Sequence, residues 1–221
     1  MTEPVLDRLT ALFEADRDPE RAVAMRAYMR DQFDFLGIMS PRQRALARQA
    51  VAGAPRPTER DLLDLADACW ARPEREYQYF ACDYLRRHAG ALSPDALPAV
   101  RRLITTKPWW DTVDVLAARV VGPMVTRDRA LVAAMDDWSS DSDLWVIRTA
   151  LLHQLFYKKD TDADRLFGYC RRQAGHTDFF IRKAIGWALR EYAKTDPAAV
   201  RAFVENTVLS GLSRREALKN L

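Results

Sequence analysis

Four segments of the chain resemble one another and recur at a nearly constant spacing. Each begins with aromatic residues or carries them early, and continues into an apolar stretch with helical periodicity: Glu76–Leu85, Trp109–Ala118, Trp145–Leu155 and Phe179–Leu189. Their starts are separated by 33, 36 and 34 residues. A period in the thirties with two helices per unit is typical of α-solenoids of the HEAT or armadillo type. The spacing therefore predicts such a solenoid, with an irregular all-α bundle as the alternative.

Helix-start signals occur along the whole chain. A capping residue precedes a proline at Asp18, Ser40, Ser93 and Asp196. The patterns Ser40…Gln43 and Ser213…Glu216 also fit a capping box. The sequence has no Asn-Gly or Asp-Gly hairpin turn and no stretch that alternates with a period of two. We therefore expect about a dozen helices of roughly 9–18 residues, in a single domain that spans residues 1–221.

Composition and motif spacing exclude several classes of protein. The mean hydropathy is −0.31, and no apolar run reaches the roughly 18 residues of a membrane-spanning helix. The first residues lack the basic region and apolar core of a signal peptide. Cys69, Cys82 and Cys170 are widely separated, which favours reduced thiols in the cytoplasm. The histidines show no metal-ligand spacing and no glycine-rich phosphate loop is present, so we expect neither a metal nor a cofactor.

The formal net charge is +3, and the basic excess lies in the second half of the chain. Residues 1–100 contain 14 Arg and Lys against 16 Asp and Glu, whereas residues 101–221 contain 20 against 15. Such an excess is compatible with a nucleic-acid-binding surface, but on its own it is a weak signal.

The segment that begins at Trp109 carries a tryptophan and a carboxylate away from its core line. That line runs from Trp109 to Val120 at spacings of four, three and four residues. Trp110 and Asp114 are four residues apart, so they share a different face of the same helix. The two adjacent tryptophans are therefore expected to point in different directions, one of them into the core.

Arg148 is the one charged residue in an otherwise apolar helix expected over Leu144–Phe156. A guanidinium in such a helix needs a carboxylate, an aromatic face or a phosphate as its partner. In the segment that begins at Phe179, Trp187 falls off the core line, and its helical neighbours include Lys183 and Arg190. A tryptophan beside cations on the polar side of a helix is a candidate contact residue.

Stacked repeats would bring Trp110, Asp114, Arg148 and Trp187 onto one surface, because these residues occupy related places in consecutive units. Two aromatic planes, a carboxylate and an arginine suit a cationic planar ligand that is attached to a phosphate backbone. Structural interpretations remain open for the same residues. Asp114 and Arg148 would then form an ion pair between repeats, and Trp187 would cover the core under the C-terminal helix.

Five stretches resemble the AlkD-like family of bacterial DNA alkylation-repair glycosylases. The stretches are Tyr28–Ile38 (YMRDQFDFLGI), Pro73–Tyr77 (PEREY), Lys107–Asp114 (KPWWDTVD), Trp145–Leu152 (WVIRTALL) and Phe179–Lys194 (FFIRKAIGWALREYAK). The last stretch is long and specific, and the resemblance covers essentially the whole chain.

The resemblance implies a right-handed α-solenoid of HEAT-like helical repeats with a concave surface that binds duplex DNA. It implies excision of positively charged alkylated purines, such as 3-methyladenine and 7-methylguanine, by hydrolysis of the N-glycosidic bond and without base flipping. The catalytic residues would be Asp114, Trp110 and Trp187, and the DNA-binding residues Arg148 and Tyr28. The expected protein is a monomer of the bacterial cytoplasm, associated with the nucleoid. No lysine occupies a matched position, so a monofunctional glycosylase is expected.

Two other functions are compatible with the same fold. The first is a non-catalytic HEAT-repeat protein that binds damaged or structured DNA, in which we would expect the Trp/Asp/Trp set to be substituted. The second is a protein–protein scaffold, which would show negligible affinity for DNA and no steep salt dependence. Since the chain retains Trp110, Asp114 and Trp187, the sequence favours the enzyme.

Overall fold

The computed structural model describes residues 2–221, and their fold is all-helical. Among these residues there is no β-strand, and one isolated bridge joins Asp34 to Glu74. Each of the four similar segments forms helix over most of its length, as its periodicity predicts. The all-α class is therefore confirmed, and the succession of short helices is consistent with an α-solenoid of helical repeats.

We number the α-helices in chain order. The first six are α1 (Thr2–Ala15), α2 (Pro19–Tyr28), α3 (Ser40–Ala50), α4 (Glu59–Ala71), α5 (Arg75–Arg87) and α6 (Leu97–Thr105). The others are α7 (Trp110–Leu116), α8 (Gly122–Arg127), α9 (Val132–Trp138), α10 (Leu144–Leu152), α11 (Ala163–Arg172), α12 (Phe179–Tyr192), α13 (Pro197–Glu205) and α14 (Gly211–Ala217). Their lengths run from 6 to 14 residues, so several are shorter than the sequence predicts.

The chain divides into two compact units, the first ending at Ala99 and the second covering Val100–Leu221. Each unit has its own apolar core, in which Leu9 and Leu62 are fully buried in the first and Val113 and Ile185 in the second. The expectation of a single domain over the whole chain stays a prediction.

Helical turns begin at or directly after all four predicted capping residues, and two of these residues make a side-chain capping hydrogen bond. The side chain of Asp18 accepts a hydrogen bond from the backbone N–H of Arg21 at 2.9 Å, at the start of α2. Asp196 accepts one from Ala199 at 2.9 Å, at the start of α13. In both helices a proline occupies the first turn, where its missing N–H leaves no helical hydrogen bond unmade.

Both predicted capping boxes are wrong, because tertiary contacts take up the side chains. Gln43 is buried, and its Nε2 donates to the backbone carbonyl of Glu76 at 3.0 Å instead of turning back to Ser40. Ser213 lies inside α14, which is capped by Ser210 through a hydrogen bond from the Ser213 N–H at 3.1 Å.

A buried carboxylate organises the first unit. Glu76, in the first turn of α5, accepts hydrogen bonds from the N–H groups of Leu36, Gly37 and Ile38 at 3.0, 2.9 and 3.1 Å. Burial raises the pKa of Glu76 above its ordinary value, and these hydrogen bonds oppose the rise. Gly37 has a φ of 90°, and a Cβ there would lie 2.1 Å from the carbonyl oxygen of Asp18, so only glycine fits at this position.

Helix α10 is central to the second unit. It packs on both α7 and α12, and α12 packs in turn on α14. Every residue from Trp145 to Leu152 in α10 is buried, Arg148 included. The helices that carry Asp114, Arg148 and Trp187 are therefore neighbours in the core of this unit.

A π-helical turn over Ala117–Val121 joins α7 to α8, and the Gly122 N–H bonds to the Ala117 carbonyl. Pro123 accounts for this turn, because proline has no N–H and its ring displaces the carbonyl four residues before it, that of Arg119. Gly122 packs tightly against α10, since a Cβ there would lie 2.3 Å from the backbone oxygen of His153.

Replacing Gly122 by alanine is expected to lower the free energy of unfolding by about 1–3 kcal/mol, the usual cost of overpacking a filled core. The clash is with backbone, so no side-chain rotation relieves it. Urea denaturation would measure the loss. Gly168→Ala in α11 is the matched control, because a Cβ there meets nothing within 4 Å and alanine favours helix. Equal stability of the two variants would contradict the prediction.

Candidate active site

A pocket of about 330 Å³ opens on the second unit. It is lined by Trp110, Asp114, Arg148, Phe179, Phe180, Lys183, Trp187, Arg190 and Glu216. These residues come from α7, α10, α12 and α14. The structure thus brings together Trp110, Asp114, Arg148 and Trp187, the four residues that the sequence places on one surface.

Asp114 and Arg148 form a bidentate ion pair at the base of this set. Arg148 Nε donates to Asp114 Oδ1 at 2.7 Å, and Arg148 Nη2 donates to Asp114 Oδ2 at 2.8 Å. The remaining guanidinium nitrogen, Nη1, donates to the backbone carbonyl of Phe180 at 2.5 Å. The side chain of Arg148 is only 5% exposed and that of Asp114 is 14% exposed. All three guanidinium nitrogens are therefore engaged within the protein.

Burial raises the pKa of the Asp114 carboxyl above its ordinary value. The hydrogen bonds and the positive charge of Arg148 act against this rise, and the nearby charge of Asp111 adds to it. Because breaking a buried pair by removing one partner costs about 3–5 kcal/mol, the pair also ties α7 to α10.

The adjacent tryptophans do point in different directions. Trp109 precedes α7 in an extended conformation, and its ring lies 5.8 Å from that of Trp145 and 5.0 Å from that of Phe180. Trp110 begins α7 and lines the pocket. The aromatic cluster around Trp109 fixes the start of α7, and with it the place of Trp110.

Trp187 lies among charged side chains from α12 and α14. Glu216 accepts a hydrogen bond from Arg190 Nη1 on Oε2 at 2.8 Å, and its Oε1 lies 3.0 Å from Lys183 Nζ. The Lys183 ammonium holds the pKa of Glu216 below its usual value. Trp187 thus shares the pocket with a three-charge cluster, of which the sequence indicates only the two cations on its own helix.

The two DNA-binding residues expected from the sequence, Arg148 and Tyr28, differ in their exposure and their contacts. The contacts of Arg148 favour the interpretation as an ion pair between helices over a phosphate contact. Tyr28 belongs to the first unit, where it ends α2 with 74% of its surface exposed. Its contact with DNA stays a prediction.

Comparison with known proteins identifies the family of this chain. The family model described as "DNA alkylation repair enzyme" matches residues 9–221, nearly the full chain. The chain belongs to the DNA alkylation repair enzyme family. Membership supports a role in the repair of alkylated DNA, with DNA as the partner.

Solved structures of two bacterial proteins are similar to this chain. A predicted DNA alkylation repair enzyme from Enterococcus faecalis is 33% identical with a TM-score of 0.86, covering 93% of this chain and 96% of that one. The smu.31 protein of Streptococcus mutans UA159 is 16% identical with a TM-score of 0.62, covering 79% of this chain and 90% of its own, and it shows similarity of fold alone. No curated protein matches the chain.

Sequence reasoning missed part of the pocket of this DNA alkylation repair family member. Phe179, Phe180 and Glu216 were not identified as site residues, and Lys183, indicated by the sequence only as a neighbour of Trp187, also lines the pocket. Gly186 is the one feature of the sequence that indicates another segment packing closely on α12, which is where Glu216 lies. A glycine inside a helix indicates close packing, and a Cβ at Gly186 would lie 2.4 Å from the Cβ of Glu216.

Over residues 2–221 the structure shows no group of three His, Cys, Asp or Glu side chains that could hold a metal ion. In the same part of the chain, no helix combines the length and the apolar character needed to cross a membrane.

Proposed function

We propose that this protein is a monofunctional DNA glycosylase that hydrolyses the N-glycosidic bond of positively charged alkylpurines in duplex DNA. Its substrates would include 3-methyladenine and 7-methylguanine. The observation that carries the proposal is a carboxylate, Asp114, held by Arg148 in one pocket with the indole rings of Trp110 and Trp187.

The chemistry of the substrate explains why such a pocket is sufficient. An N3- or N7-alkylated purine already carries a positive charge, so it leaves as a neutral base without protonation by an acid. The C1′–N bond breaks and the positive charge passes to the deoxyribose, as an oxocarbenium-like species. A water molecule then adds to C1′ and loses a proton.

The four residues predicted from the sequence that line the pocket each have a role in this reaction. The Asp114 carboxylate faces the developing charge and orients the attacking water. Trp110 and Trp187 offer π faces to the cationic sugar, and such contacts contribute roughly 0.5–2 kcal/mol each. Arg148 holds Asp114 in a fixed orientation, so we assign it a positioning role in place of the phosphate contact expected from the sequence.

The lesion is proposed to react without base flipping. The charge that must be stabilised develops on the deoxyribose, so the pocket has to reach the sugar and need not enclose the base. A fluorescent adenine analogue placed beside the lesion would test this. Binding is expected to leave its fluorescence low, whereas a strong increase on binding would indicate that the lesion leaves the stack.

The presence of Lys183 raises the question of a lyase reaction, in which a neutral amine attacks C1′. Lys183 Nζ lies 3.0 Å from Glu216 Oε1, so its nitrogen is engaged in an ion pair and is not poised as a nucleophile. We therefore propose hydrolysis alone. A DNA adduct trapped by borohydride would contradict it.

The test of the function is release of free methylated purine from a duplex that contains 7-methylguanine. We expect release above the spontaneous background. No release, with salt-sensitive DNA binding intact, would leave the non-catalytic DNA-binding protein as the function. Absence of both would indicate a protein–protein scaffold.

The rate of base release is expected to fall as the pH is lowered, because the reaction needs the ionised carboxylate of Asp114. Burial raises the pKa of Asp114 above the ordinary 3.8, so the loss should begin at a higher pH than for an exposed aspartate. Single-turnover rates between about pH 4 and pH 8, corrected for spontaneous release, would measure this limb. A rate that stays level down to the pKa of an ordinary aspartate would contradict the prediction.

A further inference from the structure

The pocket contains a second charge cluster that the proposed chemistry leaves without a role. Lys183, Trp187 and Arg190 follow one another at four and three residues, so they lie along one face of α12. Seven residues of helix correspond to a rise of about 10 Å. The two cations nevertheless converge on one carboxylate, Glu216 of α14, with contacts of 3.0 and 2.8 Å.

The close approach of α14 to α12 makes this convergence possible. A Cβ at Gly186 would lie 2.4 Å from the Cβ of Glu216 and 3.0 Å from the carbonyl oxygen of Ser213. Ser213 Oγ also donates to the carbonyl of Arg182 at 2.9 Å, which fixes α14 in place beside the first half of α12. Glu216 is therefore held at the pocket wall, with its side chain 15% exposed.

The charges that line the pocket do not cancel. Asp114 and Arg148 neutralise one another, whereas Lys183 and Arg190 face the single negative charge of Glu216. One positive charge remains, and it is the charge that one phosphodiester group of DNA would neutralise. An ammonium has three N–H donors and a guanidinium has five, so contact with Glu216 leaves donors on both cations for a second anion.

We propose that Glu216 is a positioning residue that fixes Lys183 and Arg190 as a paired subsite for one phosphodiester group of the bound DNA. The inference rests on the proposed function, since it places that phosphate next to the reacting nucleotide. It also gives the pocket a phosphate contact, whereas the side chain of Arg148 is only 5% exposed and is held by Asp114 and Phe180.

Replacing Glu216 by glutamine separates positioning from simple electrostatics. The variant gains one unit of net positive charge, which by itself would tighten binding to DNA. Glutamine also places an N–H donor against one of the two cations and releases it. We therefore expect affinity about fivefold to tenfold lower than that of a charge-matched control, since contacts to phosphate fix the register of a protein on DNA. Glu205→Gln is that control, because Glu205 is exposed on α13 and the charge change is the same.

The affinity would be measured on a duplex that carries a stable abasic-site analogue, at several salt concentrations. For Glu216→Gln the slope of log K against log salt should be smaller than for Glu205→Gln, although the two variants have equal net charge. Binding by Glu216→Gln that equals or exceeds that of the control, with the same slope, would overturn the proposal.

If thermal melting shows that Glu216→Gln does not fold, Lys183→Gln provides a second test of the proposal. Lys183→Gln leaves α14 and Glu216 in place, and we expect it to reduce the salt slope by about one unit. An unchanged slope and affinity would overturn the proposal by themselves. The abasic analogue needs no base release, so the two proposals fail separately. If the wild-type protein releases no methylated base, the glycosylase proposal is rejected. If substitution of Glu216 and Lys183 leaves the affinity for DNA unchanged, the phosphate subsite is rejected.

Discussion

Asp114→Asn is expected to lower the rate of base release by about a hundredfold to a thousandfold, the usual effect of removing one preorganised electrostatic contact to a transition state. Asparagine keeps the shape of the side chain and one oxygen that can accept from Arg148, but it loses the negative charge. Binding to undamaged duplex should change no more than for Asp137→Asn, which makes the same change in net charge. Single-turnover release of 7-methylguanine, beside a binding isotherm, would measure both effects.

Asp137→Asn provides the control, since Asp137 is exposed on α9 and does not line the pocket. Thermal melting of both variants would show whether the buried Arg148 tolerates its weakened partner. A folded Asp114→Asn protein with full activity would reject Asp114 as the catalytic group.

Glu76→Ala should be the most damaging single change in the first unit, with a loss of about 3–5 kcal/mol in the free energy of unfolding. The substitution removes the acceptor of three buried backbone N–H groups, and each buried donor left without a partner costs about 1–3 kcal/mol. The simple sum is about 3–9 kcal/mol, and we expect the lower part of that range because water can enter the space left by the side chain. Chemical denaturation would measure the loss.

Glu20→Ala is a suitable comparison for that experiment. Glu20 also occupies the first turn of a helix, so both substitutions remove the same favourable interaction with the helix dipole. Glu20 is exposed, and only a small change is expected there. A loss at Glu76 no larger than that at Glu20 would show that the backbone around Leu36–Ile38 does not depend on the carboxylate.

Local helical periodicity was enough to place much of the candidate site. Trp110 and Asp114 share a helix face because they are four residues apart, and both line the pocket. Arg148 needed a partner because its helix is otherwise apolar, and the partner is Asp114. The choice between a carboxylate and a phosphate as that partner could not come from spacing, because it depends on how close α7 lies to α10.

The remaining parts of the site depend on long-range packing. Glu216 lies 29 residues beyond Trp187 in a separate helix, and no local pattern connects the two. Gln43 shows the same limit in the first unit. Its position three residues after Ser40 fits a capping box, but its side-chain amide donates to the backbone carbonyl of Glu76. Helix lengths were overestimated for a related reason, since periodicity continues through the π turn before Gly122 that interrupts α7 and α8.

The bidentate ion pair between Arg148 and Asp114 has a consequence for the activation barrier of the reaction. A carboxylate on a mobile side chain must give up rotational entropy and rearrange its hydration each time a substrate arrives. Here both oxygens are already fixed by N–H groups at 2.7 and 2.8 Å, so that entropy was lost during folding. If Asp114 acts as proposed, its reorganisation energy is small, and the barrier is set by the lability of the alkylated base. Bases without a positive charge should then gain little from the same carboxylate.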